Sequence, residues 1–338
     1  MGFWEGKRVL VTGGTGFCGS FAVERLVSLG AEVTVASREG RDANGNLSSV
    51  AGRVKIIRAD LASLADCRAA CSGSEIVMNL AADVGGIEYN IKNPGSIFRA
   101  NMLICSNMIE AARLEDVERF QAVSSICVYR RFPSYPTPEE EGFEGWPEPT
   151  NEGYGWAKRM AEFSAMAYAK QYGMKVSIPR PANAYGPRDH FEPGRSHVVA
   201  ALVKRVCDGK EDPLVVWGDG SQTRSFLYAE DFARGLVMAV EKYPRPDPVN
   251  IGSDEETRIS DLVRAIIRIC GSKAAVAYDT NKPTGQPRRK IDTGKAREKI
   301  GYEAKVGMEE GLKKTIEYYR LRHGNAVPDY GEKAKPPG

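Results

Sequence analysis

Apolar runs and amphipathic stretches alternate through the first half of the chain. Residues 7–12 (KRVLVT) form a short apolar run ending at a glycine turn, which predicts a buried parallel strand. Residues 16–29 follow with helical spacing at Phe17, Phe21, Leu26 and Leu29, and Gly30 is a C-terminal stop. Further strands are predicted at 32–36, 53–58, 75–80, 119–123 and 175–178. Long helices are predicted at 97–112 and 153–172. Strands alternating with helices imply an α/β fold, a doubly wound parallel sheet of the Rossmann kind. After Pro179 the pattern is less regular, which predicts a smaller C-terminal substrate-binding lobe. The expected division is 1–179 plus about 225–252 for the dinucleotide-binding domain and about 180–224 plus 253–322 for the lobe. A flexible polar tail is expected over 323–338.

Between two well-patterned elements, residues 131–151 carry Pro133, Pro136, Pro138, Pro147 and Pro149 and the acidic run Glu139-Glu140-Glu141. Such a stretch is a linker or an ordered loop. Tyr135, Phe143 and Trp146 favour an ordered loop near a site.

Composition narrows the classes. The chain of 338 residues balances 47 Lys+Arg against 44 Asp+Glu and has no large basic block, so no nucleic-acid surface is expected. No window approaches the ~18 apolar residues of a membrane span, and the N-terminus lacks the apolar centre of a signal peptide. A cytoplasmic protein with no membrane contact is expected. Seven cysteines are scattered through the chain and read as small buried thiols. With only three histidines, His190, His197 and His323, no metal site is expected.

The strand at 7–12 runs into Thr12-Gly13-Gly14-Thr15-Gly16-Phe17-Cys18-Gly19. Glycines at 13, 16 and 19 allow a sharp turn, close approach of backbone to a pyrophosphate, and tight packing of helix on strand. The helix start then aims N–H groups and positive partial charge at phosphate. Because the triplet lies between a strand and a helix, it predicts a dinucleotide site. An acid usually ends the second strand where NAD is bound, holding the ribose hydroxyls. Here Ser37-Arg38 stands there. Arg38 can pair with a 2′-phosphate and stack on adenine, with Arg41 as a second contact, so NADP(H) is expected. The alternative is a solvated loop arginine. Asp60-Leu61, after the third strand, is placed to meet the adenine.

Tyr154 and Lys158 are spaced i,i+4 at a helix start and share one face. An ammonium beside a phenol favours its proton loss near neutral pH. Ser125, at the end of the fifth strand, can hydrogen-bond a carbonyl.

These residues carry a resemblance. The motifs are Thr12-Gly13-x-x-Gly16-x-x-Gly19, Asp60-Leu61, Asn79-Leu80-Ala81-Ala82, Tyr154-x-x-x-Lys158 and Asn183-x-Tyr185-Gly186-Pro187. The chain resembles the extended short-chain dehydrogenases/reductases (the NAD-dependent epimerase/dehydratase family) over roughly residues 7–320, in the branch that modifies GDP-4-keto-sugars. Ala81–Ile87, Glu148–Tyr154, Ser196-His197-Val198, Val215–Gly220 and Lys282–Arg288 extend the likeness. The resemblance implies a reductase triad of Ser125, Tyr154 and Lys158, with Cys127 and His197 as epimerisation base and acid. It implies cofactor contacts at Gly13, Thr15, Gly16, Phe17, Gly19, Arg38, Asp60, Leu61, Ala81 and Lys158. Substrate contacts fall on Asn183, Arg205, Trp217, Arg224 and Arg288. A GDP-sugar substrate and a homodimer through the helices at about 97–113 and 153–172 are also implied. Sugar 4,6-dehydratases carry Thr-Asp-Glu where this chain has Ser125-Ile126-Cys127, which argues against dehydration. Cys127 as a packing residue, His197 as a helix-start residue and the arginines as salt-bridge partners are the alternatives. A 4-reductase or epimerase of another nucleotide sugar, such as a heptose, and a non-catalytic NADP-binding regulator also stay open. Arg130-Arg131 departs from that branch, which has a proline after the tyrosine.

Overall fold

The computed structural model describes residues 2–324. Strands β1 (Arg8–Thr12), β2 (Glu32–Ser37), β3 (Val54–Arg58), β4 (Ile76–Asn79), β5 (Arg119–Ala122) and β6 (Lys175–Ser177) form one sheet in the order β3-β2-β1-β4-β5-β6. Every pairing is parallel. The order reverses between β1 and β4, the position where doubly wound sheets bind ligands. Past Ile178, β7 (Pro179–Pro181) continues the line of β6 and pairs in parallel with the strand Val249–Ile251.

The helices are α1 (Phe17–Ser28), α2 (Leu64–Cys71), α3 (Ile87–Lys92), α4 (Pro94–Leu114), α5 (Glu152–Tyr172), α6 (Val198–Asp208), α7 (Ala229–Lys242), α8 (Ile259–Cys270), α9 (Gly294–Ile300) and α10 (Met308–His323). Strand alternation divides the sheet between two cores. Val9, Val11, Val33, Val35 and Met78 face Leu26 of α1 and Leu236 and Val240 of α7. Leu10, Val77, Phe120 and Val176 face Cys67 of α2, Met108 and Ile109 of α4 and Ala165 of α5. Burial on both faces is why these strands read as continuous apolar runs. The spacing did not predict α2; Ser63 caps it by accepting the Asp66 N–H.

A third core belongs to the C-terminal lobe. Val199, Leu202 and Val203 of α6 meet Leu262, Val263 and Ile266 of α8 and Leu312 and Ile316 of α10. Its strands are short pairs, such as Leu214–Trp217 with Val276–Asp279. His323 ends α10 and stacks on Tyr319 at 4.4 Å. The rest of the expected tail, beyond Gly324, lies outside the described residues. Among the described residues no helix is long and apolar enough to cross a membrane.

The stretch 131–151 is ordered into short 3₁₀ turns at Glu139–Phe143 and Pro149–Asn151. Three of its acids pair with the two arginines at its start. Arg130 pairs with Glu141 and Glu144 at 3.3 and 3.2 Å, and Arg131 pairs with the fully buried Glu148 at 2.9 Å. The unusual Arg130-Arg131 therefore pairs with acids of the loop. Below it, Glu162 of α5 and Arg180 of β7 form a double ion pair with both contacts at 2.7 Å. Their side chains are 0% and 1% exposed. Arg180 also donates to Tyr129 Oη and to the Glu139 carbonyl. Ser124 Oγ donates to Glu162, so the end of the β5 segment is tied to α5.

Candidate active site

Thr12 ends β1 with its hydroxyl donating to Asn79 Oδ1 at 2.7 Å and accepting the Ala81 N–H at 3.1 Å. That joins the glycine loop to the end of β4. Gly13 turns at φ +67°, and a Cβ there would lie 3.0 Å from the Ala81 backbone. A Cβ on Gly19 would lie 2.1 Å from the Gly13 carbonyl oxygen. Only glycine lets α1 begin this close to β1. Gly16 precedes α1 in extended conformation, and no side chain caps the helix. The first N–H groups of α1 are thus left for an anion. Thr15 is steadied through its carbonyl, which accepts from Asn46 Nδ2 at 3.0 Å. Phe17 is buried edge-on against Phe21. The cradle fits a dinucleotide pyrophosphate.

At the far edge of the sheet, Arg38 lines a groove with Arg58, Asp60, Asp66 and Ala69. Arg41 instead pairs with Glu39 at 3.2 Å. Asp60 Oδ1 accepts the Ala62 N–H at 3.0 Å. Leu61 turns into the core, and its carbonyl accepts from Asn107 at 3.1 Å. Arg58, which the sequence reading passed over, is the last residue of β3 and faces the same groove.

Tyr154, Lys158 and Glu162 lie at i,i+4 spacing along one face of α5, and all three are buried. Lys158 Nζ donates to the Val123 carbonyl at 2.7 Å and sits 5.4 Å from the centre of the Tyr154 ring. The expectation that Lys158 would ease ionisation of Tyr154 needs correction. Burial pushes the Tyr154 phenol well up, with Cys127 and Cys18 adding to the rise. Burial also pushes the Lys158 ammonium down to about 8. Desolvation dominates at both groups, and the ammonium is turned to a backbone carbonyl. The phenol is therefore held protonated, as a proton donor must be.

Ser125 begins the 3₁₀ turn Ile126–Val128, its Oγ accepting the Cys127 N–H at 3.2 Å. Cys127 is half-buried. Its Sγ accepts from Asn151 Nδ2 at 3.1 Å and lies 4.0 Å from Arg289 Nη1. Arg289 Nη1 also donates to Asn183 Oδ1 at 3.2 Å.

The sequence reading named Arg288, but the structure turns Arg289 toward Cys127 and Asn183. Neighbouring residues on a strand point to opposite faces. Arg288 is taken by Glu256 through two contacts of 2.7 and 2.8 Å and lies over Tyr135. Parallel pairing sets Arg224 opposite Arg289. Arg224 donates to the Thr223 and Thr284 carbonyls and, among the described residues, neither arginine pairs with a carboxylate. Burial, then the like charge of Arg289, holds the Arg224 guanidinium well below its ordinary value. Two adjacent arginines, neither in an ion pair among the described residues, form a place for an anion. A Cβ on Gly285 would come within 3.5 Å of Thr150, 3.6 Å of Ile87 and 3.7 Å of Arg224, so segments far apart in the chain meet at this spot.

The remaining expected contacts are more dispersed. Arg205 is gripped by Glu211 at 2.8 Å and by the Val215 carbonyl. Trp217 is 39% exposed with Lys282 over its ring. His197 precedes α6, its Nδ1 3.9 Å from Asp189 Oδ1. The ring is 43% exposed, and its partial burial works against the imidazolium, but Asp189 outweighs it and the His197 pKa is raised. Asp189, Asn101, Asn151 and Arg289 all escaped the sequence reading. Asn101 of α4 accepts the Asp83 N–H and donates to its carbonyl, fixing the loop after β4. Asn101 carried a faint signal as a polar residue on the apolar face of a helix.

A helix start that takes phosphate, with a buried phenol and lysine across the switch point, defines an oxidoreductase or epimerase working on a nicotinamide dinucleotide. The NAD dependent epimerase/dehydratase family matches residues 9–252, and the chain belongs to that family. A GDP-L-fucose synthase from Sinorhizobium fredii is 34% identical over 318 residues, covering 93% of this chain and 96% of its own. A dTDP-4-dehydro-6-deoxy-D-allose reductase from Streptomyces is 31% identical, covering 94% of this chain and 98% of its own. Among solved structures, the UDP-glucose 4-epimerase of Thermotoga maritima with UDP-glucose superposes with a TM-score of 0.83 at 29% identity, covering 93% of this chain and 99% of that one. The chain is accordingly an NAD(P)-binding enzyme, which sets aside the non-catalytic regulator.

Proposed function

We propose that this enzyme is an NADPH-dependent 3,5-epimerase/4-reductase of a GDP-4-keto-6-deoxy-sugar, the activity type of a GDP-L-fucose synthase. The observation that carries the reading is the Cys127 thiol, held by Asn151 at 3.1 Å on the same turn as Ser125. A 4-keto group acidifies the protons at C3 and C5. Cys127 removes a proton from one face, and His197, whose pKa the neighbouring Asp189 raises, returns one to the other. Ser125 holds the carbonyl oxygen. Tyr154 then donates its proton to the oxygen at C4, an acid–base contribution of roughly 10²–10⁴-fold. Bound NADPH supplies the hydride. Arg224 and Arg289, with Asn183, take the diphosphate; Arg289 replaces Arg288 in that role. Arg205 must release Glu211 before it can join them. Trp217 offers a face for the base or sugar.

Arg38 supports NADPH over NADH, because it stands where an acid would otherwise follow β2. Titration calorimetry should give tighter binding of NADP⁺ than of NAD⁺. Arg38→Ala should weaken NADP⁺ by about 10–100-fold, the worth of one charge-assisted contact. Equal affinities would reject NADPH as the preferred cofactor. We also infer a homodimer across the outer faces of α4 and α5, which expose Phe98 and Phe163. A monomer by light scattering at micromolar concentration contradicts that.

The decisive experiment incubates the enzyme with NADPH and GDP-4-keto-6-deoxymannose in D₂O, with the product read by NMR. Deuterium at C3 and C5 together with reduction at C4 is expected. Reduction without deuterium favours a simple 4-reductase, a reading that the dTDP-sugar reductase relative supports. No turnover rejects this substrate.

A further inference from the structure

Away from the cleft, in the core of the C-terminal lobe, α6 and α8 bring two thiols together. Cys207 Sγ and Cys270 Sγ are 3.4 Å apart, although the residues are 63 positions apart in the chain. The approach follows from packing. Leu202, Val203 and Val206 of α6 lie in the same core as Leu262, Val263 and Ile266 of α8, and each cysteine occupies the last turn of its helix. Cys207 is half-buried and Cys270 is buried. Arg320 of α10 is drawn to the same point, its Nη2 donating to the Cys270 carbonyl at 2.8 Å. A hydrogen bond from Cys270, and then the charge of Arg320, hold the Cys207 thiol below its ordinary value despite burial. The mechanism proposed above uses neither residue.

We propose that Cys207 and Cys270 form an oxidative modification site, a dithiol that a peroxide converts into an intramolecular disulfide joining α6 to α8. The step balances with hydrogen peroxide as oxidant. The Cys207 thiolate attacks one peroxide oxygen, the O–O bond breaks, and the released hydroxide takes up a proton to leave as water. Cys207 is then a sulfenic acid. Cys270 loses its proton and attacks that sulfur; the S–S bond forms as the S–O bond breaks, and a second water leaves. Two thiols are oxidised by two electrons, and one peroxide is reduced to two waters. Closing the pair requires the sulfurs to approach by about 1.4 Å, within the reach of side-chain rotation. The bridge would tie down the end of α6 opposite His197.

A comparison inside the molecule sharpens the claim. Cys67 and Cys71 also lie one turn apart on α2, but burial pushes both thiols up to about 12. They lack the thiolate that starts the reaction.

The test uses the full-length reduced enzyme, exposed to equimolar hydrogen peroxide. Remaining thiols are alkylated, the chain is digested without reductant, and the peptides are weighed. The expected product is a cross-linked pair of peptides containing Cys207 and Cys270, lighter by two hydrogens than the reduced pair and separated by dithiothreitol. Non-reducing electrophoresis should show a single chain, and Cys207→Ser and Cys270→Ser should each abolish the cross-link. Full alkylation of both cysteines after peroxide has consumed Cys127 overturns the proposal. So does oxidation of Cys207 to a sulfinic acid with Cys270 left alkylated, or a bridge between two chains.

Discussion

The two halves of the cleft are built by different means. The cofactor side is made of backbone: a glycine turn, an uncapped helix start and strand ends locked by Thr12 and Asn79. The proposed substrate side is made of side chains: Arg224, Arg289 and Asn183 on short strands, and Asp189 and His197 in the segment that leads into α6. A backbone site tolerates change wherever glycine is not required. A side-chain site depends on each rotamer and on which of two adjacent arginines faces inward.

The largest expected effect lies where the halves meet. Tyr154→Phe should lower turnover by about 10²–10⁴-fold while NADP⁺ binding is kept, checked by steady-state rates beside calorimetry. A smaller drop would mean that another group donates the proton. Next comes the buried support beneath both halves. Arg180→Met strips the buried Glu162 carboxylate of its ion-pair partner and should cost about 3–5 kcal/mol in denaturant unfolding. An unchanged midpoint would show that Glu162 simply takes up a proton at little cost. The contrast between Arg289 and Arg288 is smaller. Arg289→Gln should raise KM for the nucleotide sugar by about 10–100-fold. Arg288→Gln, which loses an exposed pair with Glu256, should change it little. Equal effects would erase the assignment of faces.

The smallest effect is a titration. His197 has a raised pKa because Asp189 outweighs burial. Its protonated form therefore contributes stability below its ordinary value of 6.5, and that contribution is lost as pH rises through the folded value. Asp189→Asn leaves burial unopposed, so the His197 imidazole should titrate at lower pH by NMR and that acid-side stability should vanish. A titration that stays in place would detach Asp189 from His197.

Legibility follows the same division. The strands β1 to β6 and the helices α1, α4 and α5 were readable because burial on both sheet faces imposes long apolar runs and regular spacing. The glycine loop was readable because a Cβ at Gly13 or Gly19 meets backbone, which leaves no other residue type. The α2 helix was not, since its short span offers little beyond the Ser63 cap. Arg130-Arg131 looked like a departure at the site and proved to pair with three acids of the following loop.

The sequence by itself determined the sheet, the glycine turn, and the shared face of Tyr154 and Lys158, because each depends on spacing within one element. Tertiary structure decided that Tyr154 and Lys158 are both buried with the ammonium on the Val123 carbonyl, that Asn151 and Arg289 converge on Cys127, and that Asp189 lies beside His197. Those outcomes depend on desolvation and on distances between elements far apart in the chain, and no local pattern encodes either.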